Sequence, residues 1–448
     1  MTAGATAEGR QPASPAAAMS PQQQALAANQ KSQRAAAARI AAATAELGRL
    51  QAEEMNLRRQ VNATLPIFRL LDHDDIRANV MRAEYHSVLS LWRLRGVSTA
   101  WRKWADDVLA GLPRVVAISG TIKADPEAIE EDMDDLSGID TTTTGTREVE
   151  SLALHSMVWS TDTAVPALPV SRSSHSACVL QDGRVVVAGG WESDTEQGGR
   201  PGTAEIWNPN ADQWESLMDL PEKRWCGAAV ALSNRVVLLG GFCQTEPTFK
   251  TTASVISLDL DQSASPGAGW ISLHPMSQAR SCLAATVLPC GSVFVAGGQD
   301  DNGNFVSTAE VYNPEADTWS ALPFMSYPWS CHTCAVLPSG NVVVLGGHKN
   351  SPNDYDADAP IGEVFDQTEG TWVPIATTGL DLQTSLEEAE AVCVPGGLIL
   401  AGGVIDNDEW DDENNVSPHL FDEFAGRWFR LPHEMVTHRR STQLVTVQ

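Results

Sequence analysis

The sequence predicts a mainly β protein: a propeller of six four-stranded blades closed by the C-terminal strand, preceded by an α-helical N-terminal region. Two observations predict the blades. Five hydrophobic runs end in a glycine pair: VVVAGG (185–190), VVLLGG (236–241), VFVAGG (293–298), VVVLGG (342–347) and LILAGG (398–403), with the pairs 51, 57, 49 and 56 residues apart. A tryptophan then follows each pair after 21 to 29 residues, at Trp214, Trp270, Trp319, Trp372 and Trp428. A third observation predicts the closure. The chain ends in HRRSTQLVTVQ (438–448), which has the form of a first strand with no unit of its own.

Each unit reads as four short strands in about fifty residues, with periodic glycine and aromatic positions. The β-branched run is a strand buried on both faces. The glycine pair permits a backbone path and a close approach that a side chain would block. Strand-and-turn stretches such as AEIWNPNADQW, AEVYNPEADTW and GEVFDQTEGTW come next, and Asn-Pro makes their turn. The tryptophan is large enough to wedge between neighbouring sheets.

Upstream, REVESLALHSMVW (147–159) supplies two last strands, and RVVAISG (114–120) a second strand with Ser119-Gly120 in place of the glycine pair. The first strand of that blade is missing, because RKWADDVLAG before it is helical. Downstream, His438 lies ten residues after Trp428, as Arg224, Arg280 and Trp329 lie ten after their own tryptophans. The C-terminus should therefore complete the blade that RVVAISG begins, removing an open sheet edge.

The rest of the chain divides in order. Residues 1–23 are Ala-, Pro- and Ser-rich and read as a disordered tail, with an organellar transit peptide as the alternative. Residues 24–62 read as a helix, solvated or in a short coiled coil through Ile40, Leu47, Leu50, Leu57 and Val61. Residues 65–113 read as apolar helices that break near Gly96 and Ser98, and the propeller takes 114–448 without a linker.

The formal charge of −27 is uneven: residues 1–113 carry 14 Lys/Arg against 10 Asp/Glu, and residues 114–448 carry 16 against 47. Such a body disfavours nucleic acid, whose phosphates need clustered cations, and favours a basic or polar protein segment. No apolar run approaches membrane-spanning length. Eight cysteines at no framework spacing favour a reducing compartment, cytoplasmic or nuclear.

These units resemble the Kelch repeat: a glycine pair, then Glu-x-aromatic-Asp/Asn-Pro, then Trp. The resemblance covers residues 172–429, with SVISLDLDQS and HLFDEFAGRW departing most at their turns. It implies that the second-to-third-strand loops and the inter-blade turns share one face where partners dock. That face would present Trp191, Arg224, Trp225, Arg280, Tyr327, Trp329, His348 and Trp410. The alternative for the arginines is a satisfied turn residue, and for the acidic loops a merely solvated surface.

VLSLWRLRGVSTAWRKWADDVL (88–109) resembles the second half of an F-box: a Leu-rich helix, then Val97-Ser98 and Trp101-Arg102. Leu65-Pro66, farther upstream than in the family, stands for its leading Leu-Pro. The resemblance implies binding to a Skp1-like adaptor of a cullin ubiquitin ligase through Leu91, Leu94, Val97 and Trp101, with the propeller presenting a substrate by proximity alone. An amphipathic helical pair capping the propeller is the plainer alternative. A non-ubiquitin Kelch scaffold oligomerising through 24–62 is one rival function, and an enzyme on a propeller another.

No catalytic residue, metal or cofactor is expected. Kelch-type enzymes include copper oxidases and sugar epimerases, but the four Tyr and ten His form no such site in the sequence. Asp354, Asp356 and Asp358 are spaced like the start of a calcium loop, yet Ala359 and Phe365 stand where Gly and Glu are required. Cys331 and Cys334 form a lone CxxC; Cys226, Cys282 and Cys331 share one repeat position, read as small apolar residues at the start of inner strands.

Overall fold

A computed structural model describes residues 88–447, apart from 96–98, 124–142, 164, 192–201, 246–247, 262–268, 350–359, 381–385 and 406–415. The described residues belong to one unit, Arg82–Gln448. The expected tail 1–23, the helix 24–62 and Leu65-Pro66 lie outside them. So do Val97, Trp410 and the Asp354–Asp358 stretch.

The β-branched runs become second strands buried on both sides: Val293–Ala296 and Val342–Leu345 have no exposed surface. In each Gly-Gly repeat such a strand lies between a first and a third strand, with a fourth outside. The first repeat pairs Ser176–Val179, Val185–Ala188, Ala204–Asn208 and Gln213–Ser216 in chain order, all antiparallel. Four more sheets repeat the order, and a sixth is built from both ends of the described chain. Its members are β1 (Arg114–Lys123), β2 (Thr143–Ala153), β3 (Val158–Ser160) and the C-terminal strand Gln443–Val447, in the order β3-β2-β1-C-terminal strand. Arg114 lies opposite Val447, and Ile118 opposite Gln443.

One backbone bond recurs between neighbouring sheets. The second residue of each glycine pair donates its N–H to a carbonyl at the turn entering the next sheet. The bonds run from Gly190 to Arg224 (3.0 Å), Gly241 to Arg280 (2.9 Å), Gly298 to Trp329 (2.7 Å), Gly347 to Leu386 (2.5 Å) and Gly403 to Arg439 (2.9 Å). Gly120 returns the series to Arg172 at 3.2 Å. The need for glycine is plain at Gly240, where φ is +58° and a Cβ would sit 2.5 Å from the Arg280 carbonyl. Ser119 keeps the left-handed φ of 56° without being glycine. Its hydroxyl lies 2.5 Å from both the Thr146 and Arg172 carbonyls and donates its one proton to either, so the intruding side chain becomes a bond.

The repeat tryptophans fasten the connections between sheets. The indole N–H groups of Trp214, Trp270, Trp319, Trp372 and Trp428 donate to the carbonyls of Pro166, Met218, His274, Pro323 and Ala376 at 2.8–3.0 Å. Both turns that depart from the repeat pattern still follow paired strands, and in HLFDEFAGRW Asp422 accepts the Ala425 N–H at 2.9 Å.

Two helices precede β1: α1 (Val88–Leu94) and α2 (Thr99–Ala110). Val88, Leu91 and Leu109 are buried with Leu152, Leu154, Trp159, Ile399 and Leu420. The Val88 N–H donates to Pro395 O at 3.0 Å, and Trp92 Nε1 to Leu154 O at 2.9 Å. The helical pair thus caps the sixth and fifth sheets. Leu91 has no exposed surface, so it cannot meet an adaptor as the F-box resemblance implies. It is spent on the propeller instead.

Candidate functional site

Each first strand is entered by a four-residue turn whose first side chain folds back under the sheet. The Arg172 guanidinium meets Glu205 at 2.7 Å, and that of Arg280 meets Glu310 at 2.9 Å. Arg439 meets Glu150 in the sixth sheet, and all three arginines are buried. Each carboxylate faces its partner from the third strand. Glu310 and Glu150 also accept backbone N–H groups of their entry connections, Ser277 at 3.1 Å and Val436 at 2.8 Å. In the fourth repeat Trp329 replaces Arg, and its indole donates to Glu363 at 3.2 Å. In the fifth both partners change, to Leu386 and His419. In the second, Ile256 replaces the carboxylate, and Arg224 bonds Gly240 O at 3.3 Å and Ser254 Oγ at 2.9 Å.

Arg224 and Arg280 therefore take the alternative reading, that of satisfied turn residues, and Trp329 is likewise a buried tie within its repeat rather than a contact residue of a docking face. The equivalent residue at the C-terminus is Arg439, one place beyond the His438 expected from spacing. A buried, paired arginine is the exception among arginines, and the spacing alone did not mark it.

The third residue of the same turn is left-handed in all six sheets: Ser174, Cys226, Cys282, Cys331, Glu388 and Ser441 have φ between 50° and 54°. Non-glycine residues rarely adopt this conformation. Neighbouring turns hold it by bonding to each other. The N–H of Cys226 donates to Ser174 O (2.9 Å), Cys282 to Cys226 O (2.7 Å), Cys331 to Cys282 O (3.0 Å) and Glu388 to Cys331 O (3.3 Å). Ser441 Oγ donates to the Glu388 carboxylate at 2.6 Å. Each of these residues stands two places ahead of its first strand, at one end of a central channel. The three cysteines are half-buried there, where the sequence reading placed them.

All six first strands line the channel, a cavity of about 590 Å³. Glu390 sits in its wall, where Thr333 Oγ1 donates at 2.8 Å and Gln443 Nε2 at 3.0 Å. Burial pushes its carboxyl up to about 7, against the pull of those two bonds. In the unfolded chain it ionises near 4.5. Between those values the folded chain keeps a proton that the unfolded chain has released. The contribution to stability is thus whole below about pH 4.5 and is lost as pH rises to about 7. Glu390→Gln should melt higher than wild type at pH 8, by about 1–3 kcal/mol, and no higher at pH 4. Parallel melts at the two pH values measure the difference.

Aromatic residues stand at several entry turns and at the segments after the glycine pairs. In every sheet the entry turn pairs with the segment after the glycine pair, as in Arg224–Trp225 with Phe242–Thr245, Trp329–Ser330 with His348–Lys349, and the Ser173–Trp191 bridge. Trp191, Trp225, Tyr327 and His348 are half-buried. The second repeat adds a hairpin, Phe242–Thr245 with Thr248–Thr251, that sequence reading passed over. It builds an aromatic cluster. Trp225 stacks on Phe242 at 5.4 Å, and Phe249 meets both rings edge-on at 5.6 Å. Phe249 is 53% exposed. The only signal in the sequence was FCQTEPTFK, with two phenylalanines flanking a turn.

With sheets, ties and face in place, comparison with known proteins bears on the repeat itself. Residues 172–221 and 280–326 match the Kelch motif. Two of the repeats thus match that motif. The F-box/kelch-repeat protein SKIP20 of Arabidopsis thaliana is 33% identical over 26% of this chain and 28% of its own length. The Kelch-like protein terF of Aspergillus terreus is 24% identical over 56% of this chain and 54% of its own length. The chain thus spans about a quarter to a half of these curated relatives. The solved structure of YjhT superposes on 63% of this chain and 89% of its own, with a TM-score of 0.50 at 14% identity, a likeness of fold alone.

Proposed function

We propose that the chain is a six-bladed Kelch propeller, closed by its C-terminal strand, that binds a protein segment at the channel-mouth face and acts without catalysing a reaction. The observation that carries this reading is the Trp225–Phe242–Phe249 cluster, an aromatic anchor on a hairpin. Exposed aromatic rings on a rigid scaffold are the usual anchors of protein interfaces. The net negative propeller favours a segment with basic or polar groups around an apolar anchor. In native extract, Trp225→Ser with Phe249→Ser should lose the partners that wild type retains. Phe424→Ser, in a third-to-fourth-strand turn at the other end, should keep them. Equal recovery by all three proteins would contradict the assignment of the face.

The finer form of the proposal is substrate recognition within a Skp1–cullin–F-box ubiquitin ligase. It draws on Val97-Ser98 and Trp101-Arg102 and on relatives whose names join F-box to Kelch. Since Leu91 is buried on the propeller, adaptor contact falls to Leu94, Val97 and Trp101. The full chain should co-elute with a Skp1 homologue at micromolar concentration. Separate elution would remove the ligase role and leave the face untouched. A stable oligomer in sedimentation, lost on deleting residues 24–62, would favour the scaffold instead.

A further inference from the structure

Three consecutive repeats place cysteine at the same left-handed position of the channel mouth, and the positions are bonded to one another through the backbone. Cys282 is the middle one. Its thiol lies close enough to those of Cys226 and Cys331 for both to act on its ionisation. Its remaining neighbour is Gln299 Nε2, at 3.4 Å. Because Cys282 N lies 2.7 Å from Cys226 O, and Cys331 N 3.0 Å from Cys282 O, standard backbone dimensions cap both Cα separations at about 6.5–6.9 Å, near the upper limit for a disulfide before any bend shortens them. The thiols form an arc, not a cage: among the described residues no three His, Cys, Asp or Glu converge to hold a metal ion.

We propose that Cys226, Cys282 and Cys331 are an oxidation site, at which a low-molecular-weight disulfide converts Cys282 and one neighbour into a disulfide that staples adjacent blades at the mouth. A thiolate of the pair attacks one sulfur of the small disulfide, forming a mixed disulfide and expelling one small thiol. The second cysteine gives up its proton and attacks the protein sulfur of that mixed disulfide, and the second small thiol leaves. Two protein thiols are oxidised to one disulfide, and the small disulfide is reduced to two thiols. The third cysteine stays free and can take over the bond by exchange, so the staple can lie on either side of Cys282.

The neighbouring thiol and burial hold Cys282 and Cys331 well above the usual thiol range. Oxidation should therefore quicken about tenfold per pH unit through neutrality, following the thiolate fraction. Serine at the central position is compatible with the fold, because Ser174 and Ser441 occupy the same left-handed place in two other sheets.

The test treats the folded full chain with oxidised glutathione, alkylates the remaining thiols and maps the peptides by mass spectrometry. The expected result is two alkylated thiols fewer among these three, and a dithiothreitol-sensitive link joining Cys282 to Cys226 or to Cys331. Cys226→Ser should leave only the Cys282–Cys331 link, and Cys282→Ser should leave none. The exposed Cys290 and Cys393 serve as internal controls, taking up glutathione singly. If glutathione is found only on those two while Cys226, Cys282 and Cys331 are all alkylated, the proposal is overturned. A Cys226–Cys331 link in Cys282→Ser would equally overturn it, because the arc keeps those two apart.

Discussion

A chain lacking residues 438–448 is expected to lose most of its folding stability, although it ends only eleven residues short. The deletion removes the strand paired with β1 from Arg114 to Ile118 and strips Leu444, Val445 and Val447 from the cores beside it. Burial of three such side chains stabilises by roughly 5–8 kcal/mol. It also removes Arg439, whose guanidinium donates to Glu148 O at 2.9 Å and Ser119 O at 3.2 Å and pairs with Glu150. Glu150 would then stay buried with backbone donors but no cation, a further cost of about 3–5 kcal/mol. Domains hold only about 5–15 kcal/mol in all. A thermal midpoint lower by at least about 10 °C, or failure to fold, is the expected result. An unchanged midpoint would mean that the C-terminal strand closes nothing.

The second large effect concerns the buried pair in the third repeat. Arg280→Leu leaves Glu310 buried without its cation, and Glu310→His leaves Arg280 without its anion. Each should cost about 3–5 kcal/mol in chemical denaturation. The double variant recreates the Leu386 and His419 combination of the fifth repeat, where both partners have changed together. It should be less destabilised than the sum of the single variants by at least about 2 kcal/mol. Strict additivity would show that the two side chains are not coupled.

The strands were legible because their burial imposes a pattern. A β-branched run between turn residues can only be a strand covered on both faces, and the glycine pair marks where its backbone meets the next sheet. RVVAISG could be placed for the same reason, even with Ser119 in the glycine position. The connections were less legible, because their lengths vary while their geometry does not. Counting from Trp428 reached His438, whereas the buried guanidinium belongs to Arg439. Charge and indole are ordinarily partly exposed, so at Arg280 and Trp329 the sequence leaves the position open between a docking-face residue and a satisfied turn residue. Their burial depends on Glu310 and Glu363, some thirty residues on, which local reading could not pair with them. The mouth turns left even less trace, since Ser, Cys and Glu share no property that marks a left-handed turn. Leu91 shows the limit of resemblance. Its spacing fits an adaptor-binding helix, yet the sheet beneath α1 covers it.

The central claim is that the C-terminal strand completes the sixth blade, and with it the mouth on which the aromatic face and the thiol arc are built. Hydrogen exchange of the intact full chain, followed by mass spectrometry, tests it directly. Amides of Gln443–Val447 should exchange as slowly as those of Arg114–Ile118, because the two segments are paired and would open together. Exchange of the C-terminal peptide within seconds, as in an untethered tail, beside slow exchange in β1, would contradict the account.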